Sequence, residues 1–153
     1  MVARELTSTW HPWPLPRRVP LVPGADPLQA LVGLRLAIGL GSWLTPRVTG
    51  RLFGLDATAN PQLPYVARLF GARDVALGAG IMLGHGEARS LWLQVGLACD
   101  VADALAGLAA GTRGDLGPFS AVLVTGTALG AAALGMAALR AQGASPPAAA
   151  PVS

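Results

Sequence analysis

The sequence predicts an all-α protein, an integral membrane four-helix bundle. Hydrophobic residues make up 52% of the 153-residue chain, charged residues only 12%, and the mean hydropathy is +0.51. Soluble domains carry about 25% charged residues, so a soluble fold of this length would lack the charges that keep a surface wet. The chain also contains four apolar runs of helical length. Aromatic residues are only 5%, whereas glycine and alanine are abundant, so helices must pack through small residues and close backbones.

The first 27 residues are predicted to form a Pro/Trp-rich extended tail. Six prolines in residues 1–27 exclude a helix and favour an extended chain. No continuous apolar core follows the charged start, so the tail is not a signal peptide. Trp10, Trp13, Arg17 and Arg18 suit a segment that lies along the lipid headgroups. A disordered tail is the alternative.

The four apolar runs are the predicted spans of a membrane domain over residues 28–140. About 20 apolar residues cross a bilayer core, so the first run is slightly short and the others fit. Pro46 ends the first run, Pro64 takes a permitted first-turn position in the second, and Gly111 closes the third. Residues 141–153 are predicted to be a disordered C-terminal tail. Helices buried in a soluble protein are the alternative. The predicted spans are 28–44, 64–84, 91–110 and 118–139.

Four spans place both termini and the 85–90 loop on one side of the membrane. That side carries more arginine than the other, so the positive-inside rule places both termini of a multi-pass cell-membrane protein in the cytoplasm. In the longest connection, 45–63, Phe53 and Leu55 are expected to dip into the interface. The arginines compared are Arg4, Arg17, Arg18, Arg89 and Arg140 on the side of the termini, and Arg47, Arg51 and Arg113 on the other.

Several function classes are excluded by composition. The pI is near 10.4, but the net charge is only +3 and the basic residues are scattered, so no nucleic-acid surface is predicted. Cys99 is the only cysteine, which excludes intrachain disulfides, CxxC chemistry and thiolate metal sites. His11 and His85 lie outside the apolar runs without metal-ligand spacing, so neither a metal nor a cofactor is predicted. All 11 basic residues are arginine, which suggests a GC-rich bacterial genome.

Six ionisable residues interrupt the apolar runs, and their charges cancel. A charge at bilayer depth costs about 2.5–3.5 kcal/mol, so six unpaired charges would cost about 15–20 kcal/mol. They are therefore expected to pair inside the bundle. Depth along each run, at about 1.5 Å per residue, decides the partners. The predicted pairs are Arg35 and Arg73 with Asp74 and Asp100, and Arg68 with Asp103.

Small residues share helix faces with these charges. The fourth run carries no charge, and Gly126 and Gly130 in GxxxG spacing predict a packing wall. In the other runs the predicted inward stripes recur at steps of three and four residues. These stripes are Arg35, Gly39 and Ser42; Gly71, Asp74 and Gly78, with Arg68 at the edge; and Gly96, Asp100, Asp103, Gly107 and Gly111.

Two interpretations of the charges stay open. A buried Arg–Asp network can fix helix register. Ionisable groups inside a membrane can instead mark a pathway or a catalytic site. Asp100 and Asp103, one turn apart, are the first candidates for general acid chemistry or proton relay, with Asp74 the third. Arg35, Arg68 and Arg73 are the candidate network or binding residues.

One pattern resembles a known family. It runs from Arg51-Leu-Phe-Gly54 through Ala67-Arg-Leu-Phe-Gly-Ala-Arg-Asp74 to Asp100-Val-Ala-Asp103. It resembles an uncharacterised family of small four-helix bacterial and fungal integral membrane proteins, a domain of unknown function distantly similar to DoxX-like proteins. The resemblance implies the four-span bundle and marks the charged residues as the family's polar positions. It implies no activity, and no thiol pair or cofactor motif supports the quinone-linked oxidation associated with DoxX proteins.

Three functions are compatible with this pattern. The first is a non-enzymatic accessory or partner-binding bundle. The second is a membrane-embedded acid/base enzyme, a cyclase, isomerase or hydrolase of a terpenoid or lipid-like substrate. The third is a transporter or proton-path component, which in so small a chain would need oligomerisation. The expected partners are membrane lipid, a lipophilic small molecule, and a second copy or another membrane protein.

Overall fold

The computed structural model describes residues 26–143, and within this range all regular structure is helical. The prediction of an all-α protein is confirmed. Most of both predicted tails, residues 1–25 and 144–153, lies outside the described range. At their inner ends the tails are shorter than predicted, because Pro27 already begins the first helix and 141–143 continue the last. The five helices are α1 Pro27–Leu44, α2 Pro46–Leu52, α3 Leu63–Leu83, α4 Gly86–Arg113 and α5 Pro118–Gly143.

Three of the described helices are long and apolar enough to cross a membrane. These are α1, α4 and α5, with mean hydropathies of 1.3, 1.4 and 1.9 over their best 18 residues. The predicted second span corresponds to α3, which does not meet the same criterion. Every 18-residue window of α3 contains Arg68, Arg73 and Asp74, so the charges and not the length set it apart.

Local signals explain where α1 and α2 begin. The Asp26 side chain accepts a hydrogen bond from the Leu28 backbone N–H at 3.0 Å, and Pro27 occupies the first turn. Thr45 separates α1 from α2, because Pro46 has no backbone N–H to continue α1 and can only begin a new helix. The short helix α2 lies within the connection predicted for 45–63.

The connection from α2 to α3 is held by local hydrogen bonds. Asp56 Oδ1 accepts from the Thr58 hydroxyl at 2.6 Å and from the Thr58 backbone N–H at 2.7 Å. These two bonds hold the pKa of the exposed Asp56 carboxyl below its usual value. At the end of α2, Gly54 has φ +71°, and its carbonyl accepts from the Ser120 hydroxyl of α5 at 2.9 Å.

Helix α4 is longer than the predicted third span of 91–110. It begins at Gly86 with Glu87 in its first turn, and it passes Gly111 to end at Arg113. Glu87 at the N-terminus and Arg113 at the C-terminus both suit the helix dipole. Gly114, at φ +78°, is the residue that ends the helix. The prediction that Gly111 closes this segment was wrong, because Gly111 continues the helix and the left-handed Gly114 terminates it.

The long helices pack as two intimate pairs. Helix α1 packs most closely on α3 and α4 on α5, while α1 with α5 and α3 with α4 contact less extensively. The α1–α3 pair is close because glycines meet: a Cβ on Gly71 would lie 2.5 Å from the Gly39 carbonyl oxygen. Both glycines belong to the predicted inward stripes, and both are buried.

The interior is apolar at one end and open at the other. Near the α3–α4 connection, large side chains fill the centre of the helices and are almost inaccessible. The exterior carries many exposed large apolar side chains, for example Leu44 (70% exposed) and Val122 (71%), as expected for surfaces that face lipid. The apolar cluster comprises Leu31, Ile81, Leu93, Ala131 and Ala138.

Helix α5 packs with a different face from the one predicted. Gly126 and Gly130 are exposed, and a Cβ on either would meet no atom within 4 Å. Ala128, Ala131 and Gly135 are buried instead. The uncharged fourth run does pack against the other helices, as predicted, most closely against α4. The GxxxG pair is not its packing face, because the buried small residues at three- and four-residue steps make those contacts.

Candidate functional site

Arg35 joins three helices near the centre of the protein. Its side chain on α1 is only 2% exposed. Nη1 donates to Asp74 Oδ1 on α3 at 3.2 Å, and Nη2 donates to Asp100 Oδ2 on α4 at 2.7 Å. Both carboxylates are also buried. The predicted pairing of Arg35 and Arg73 with Asp74 and Asp100 is confirmed for Arg35; Arg73 reaches Asp74 at 3.4 Å but mainly pairs with Asp103 and makes no hydrogen bond to Asp100.

Arg73 makes the second half of the network. Its two terminal nitrogens form a two-bond fork with Asp103, at 3.0 Å to Oδ1 and 2.6 Å to Oδ2. Nη2 also lies 3.4 Å from Asp74 Oδ1. The guanidinium carbon stacks 4.3 Å from the centre of the Phe70 ring, three residues earlier on α3, which is a spacing that brings helix side chains together. The Arg73–Asp103 pair is half-buried and bridges α3 to α4.

Arg68 does not belong to this network, and its predicted pairing with Asp103 was wrong. It is exposed, and its Nε donates to the Trp43 carbonyl at 3.3 Å. That carbonyl is among the last four of α1, which lack partners within the helix. Arg68 and Arg73 lie about 140° apart around α3, so only one of them can face Asp103.

Gly96 provides the surface on which Arg35 rests. A Cβ at Gly96 would lie 2.7 Å from Arg35 Nη2 and 3.4 Å from its Cζ. Asp100 follows one turn later on the same face of α4. The glycine therefore lets the guanidinium approach α4 closely enough to reach the Asp100 carboxylate.

A cavity of about 390 Å³ extends from this network towards α2. Arg35, Arg73, Asp74, Asp100 and Asp103 form its charged end. Its remaining walls are mainly apolar and come from all five helices and two connections. Small-molecule sites are mostly apolar clefts of about 300–1,000 Å³ with a few polar groups, and this cavity has that character. Its apolar lining includes Ile38, Phe53, Leu55, Leu63, Val66, Phe70, Leu116, Val124 and Ala128.

The cavity opens sideways between α3 and α4. Val66 and Phe70 on α3, and Ala106 on α4, line the cavity and are also exposed. Towards the α3–α4 connection the two helices close on each other, since a Cβ on Gly80 would lie 2.3 Å from the Trp92 ring. The opening therefore lies on the α2 side of the Arg73–Asp103 bridge.

The network is not electrically neutral. The six predicted charges sum to zero, but without Arg68 the cluster holds two guanidinium groups and three carboxyl groups, a net charge of −1 when all are ionised. No described residue donates a hydrogen bond to Asp74 Oδ2 or Asp100 Oδ1. By contrast, the Nε atoms of Arg35 and Arg73 are enclosed and have no hydrogen-bond partner among the described residues.

These groups do not form a metal site in the described part of the chain. Within residues 26–143, no group of three His, Cys, Asp or Glu side chains is arranged to hold a metal ion. The three carboxylates are instead engaged by guanidinium groups. The arrangement can hold a polar group of a ligand at its charged end and an apolar body in the rest of the cavity.

Sequence reasoning missed the contribution of α2 to the cavity. Thr49, Gly50, Phe53 and Leu55 form its wall opposite the charged network. Phe53 and Leu55 were expected to enter the membrane interface, and in the structure they line the cavity. A signal was present, because a proline directly after Thr45 is typical of a helix start.

The chain was compared with protein-family models, curated proteins and solved structures, and none of the three comparisons found a match.

Proposed function

We propose that this protein binds a lipophilic small molecule in a pocket inside the membrane. The observation that carries the proposal is the cavity of about 390 Å³, apolar along its length and charged at one end, which opens sideways between two helices. An apolar body would occupy the part near Phe53 and Val66. A polar group would reach the carboxylates of Asp74 and Asp100.

The proposed architecture is a four-span bundle in which α3 also crosses the membrane. Two of its three charged residues, Arg73 and Asp74, are paired inside the protein. Arg68 lies about one and a half turns from the first residue of α3, where a long side chain can reach the interface. The bundle would match the small four-helix membrane family that the sequence resembles. Both termini would lie in the cytoplasm of a multi-pass cell-membrane protein.

A pocket that opens towards lipid can be tested by blocking its mouth. Ala106→Phe places a large side chain at an exposed position that lines the opening. Ala133→Phe makes the same change at an exposed position of α5 outside the cavity lining. Each full-length variant is purified in mild detergent, and copurifying hydrophobic molecules are identified by mass spectrometry.

We expect the wild type and Ala133→Phe to carry the same lipophilic molecule in about stoichiometric amount, and Ala106→Phe to lose it. Equal occupancy in all three proteins would show that the molecule binds elsewhere. Absence of any bound molecule from the wild type, together with no binding of added lipophilic compounds, would refute the proposal.

A membrane-embedded acid/base enzyme is the second candidate. The observation that favours it is that Asp74 Oδ2 and Asp100 Oδ1 belong to cavity-lining residues and receive no hydrogen bond from the described residues. A carboxyl group placed in this way can exchange a proton with a bound substrate. If the protein is such an enzyme, Asp100→Asn retains the bound molecule but leaves it unconverted. Conversion at the wild-type rate would exclude Asp100 as the acid or base.

A further inference from the structure

The charge of the pocket's polar end selects the kind of ligand it takes. The guanidinium nitrogens that face carboxylates are already engaged: both terminal nitrogens of Arg35 and of Arg73 donate to Asp74, Asp100 or Asp103. An anionic ligand would therefore meet three carboxyl groups and only two guanidinium groups, both of which already donate to those carboxyls. When all five groups are ionised, negative charge is in excess at this end, and buried excess charge is costly unless it is paired.

Two carboxyl oxygens remain available to a ligand. Asp74 Oδ2 and Asp100 Oδ1 accept no hydrogen bond within residues 26–143, although both side chains are more than nine-tenths buried, and both residues line the cavity. The Nε atoms of Arg35 and Arg73, which have no partner among the described residues, are enclosed and offer nothing to a molecule in the cavity. The site thus presents acceptors and an uncompensated negative charge, which a cationic hydrogen-bond donor would satisfy.

The size of the cavity limits the rest of the molecule. The cavity volume of about 390 Å³ lies at the lower end of the range for small-molecule sites, about 300–1,000 Å³. A site of this volume suits a single alkyl chain or a compact ring system. We propose, on the basis of the proposed binding function, that the ligand is a single-chain or compact lipophilic amine whose protonated nitrogen binds between Asp74 and Asp100.

The test compares three ligands with the same alkyl chain. Dodecylamine, dodecanol and dodecanoic acid present a cation, a neutral hydroxyl and an anion at neutral pH. Each is added to the full-length protein in phosphatidylcholine nanodiscs, with empty nanodiscs as the blank for partition into lipid. Binding is measured by native mass spectrometry and by the increase in Tm.

Two variants then test whether the preference for the amine depends on the Arg–Asp network. Asp100→Asn removes one negative charge from the pocket. Asp115→Asn is the matched control, since Asp115 is an exposed carboxylate paired with Arg113 at 3.0 Å outside the cavity. We expect Asp100→Asn to weaken dodecylamine binding by about 10- to 100-fold, the range for loss of one charge-assisted hydrogen bond. Dodecanol binding should change little, and Asp115→Asn should bind all three ligands as the wild type does.

The outcomes separate this inference from the proposed function. Tightest binding of dodecylamine by the wild type, lost in Asp100→Asn, supports both. Equal or tighter binding of dodecanol or dodecanoic acid overturns the inference and leaves the pocket in place. Failure of all three to bind overturns both. The ranking in the wild type decides the inference even if Asp100→Asn does not fold.

Discussion

Replacing Gly96 with alanine tests how Arg35 reaches Asp100. In the interior of a helix this change alone would stabilise by about 0.8–1 kcal/mol, because alanine has the higher helix propensity. Here the new methyl group would lie 2.7 Å from Arg35 Nη2, at least about 0.7 Å closer than the usual carbon contact of about 3.4–4 Å. Arg35 is enclosed by three helices, so the guanidinium must move away from α4.

That movement lengthens the 2.7 Å hydrogen bond to Asp100. A hydrogen bond to a charged group contributes about 1.5–3 kcal/mol. After the gain in helix propensity is subtracted, we expect Gly96→Ala to lower the free energy of unfolding by about 0.5–2 kcal/mol. The informative result is the sign of the change in the free energy of unfolding, because helix propensity alone would change it in the opposite direction.

The assay is equilibrium unfolding of the purified protein by SDS in mixed micelles, followed by circular dichroism. Gly126→Ala is the matched control, because its methyl group would meet no atom within 4 Å. We expect Gly126→Ala to stabilise the protein by up to about 0.8–1 kcal/mol, the gain in helix propensity alone. Equal stabilisation by both substitutions would refute the idea that Gly96 is required for the approach of Arg35.

Two further substitutions test the Arg–Asp network and the close contact between α1 and α3. Arg35→Gln leaves the buried Asp100 without a cation and Asp74 with only the 3.4 Å contact to Arg73, and breaking a buried pair costs about 3–5 kcal/mol. Arg68→Gln, at an exposed position, should change the free energy of unfolding by only about 0.5 kcal/mol. Similar losses of Tm in the two variants would contradict the central position of Arg35. Gly71→Ala should destabilise the protein more than Gly96→Ala, because its methyl group would lie 2.5 Å from a backbone carbonyl oxygen of α1, which cannot move aside as a side chain can. SDS unfolding measures the stability of both glycine variants. A Gly71→Ala variant as stable as the wild type would mean that α1 and α3 separate at little cost.

The partners of Arg35 could be predicted because energetics and depth agree. A charge near the middle of an apolar helix needs an opposite charge at the same depth, and Asp74 and Asp100 satisfy that condition. Depth was not sufficient for Asp103. Arg68 and Arg73 lie about 7.5 Å apart along α3 and about 140° apart around it. Which of the two directions faces α4 depends on how the helices are rotated against each other.

The helix ends and the cavity depend on signals that hydropathy does not carry. Helix α4 begins five residues before the apolar run at Leu91, in a polar segment whose Glu87 suits the first turn of a helix. Arg89 Nε donates to the Ile81 and Gly84 carbonyls at the end of α3. The cavity arises because α3 and α4 are in close contact at Gly80 and Trp92 but separate beyond Arg73. No local sequence pattern in either helix predicts that the two helices separate there.

The sideways opening between α3 and α4 has a practical consequence for measuring affinity. A molecule that arrives through such an opening competes with the acyl chains of the surrounding bilayer, so its dose is its mole fraction in the lipid and not its aqueous concentration. Doubling the amount of lipid at a constant total amount of compound would then halve the occupancy of a weakly filled pocket. Titrations at several lipid-to-protein ratios would reveal this dilution directly.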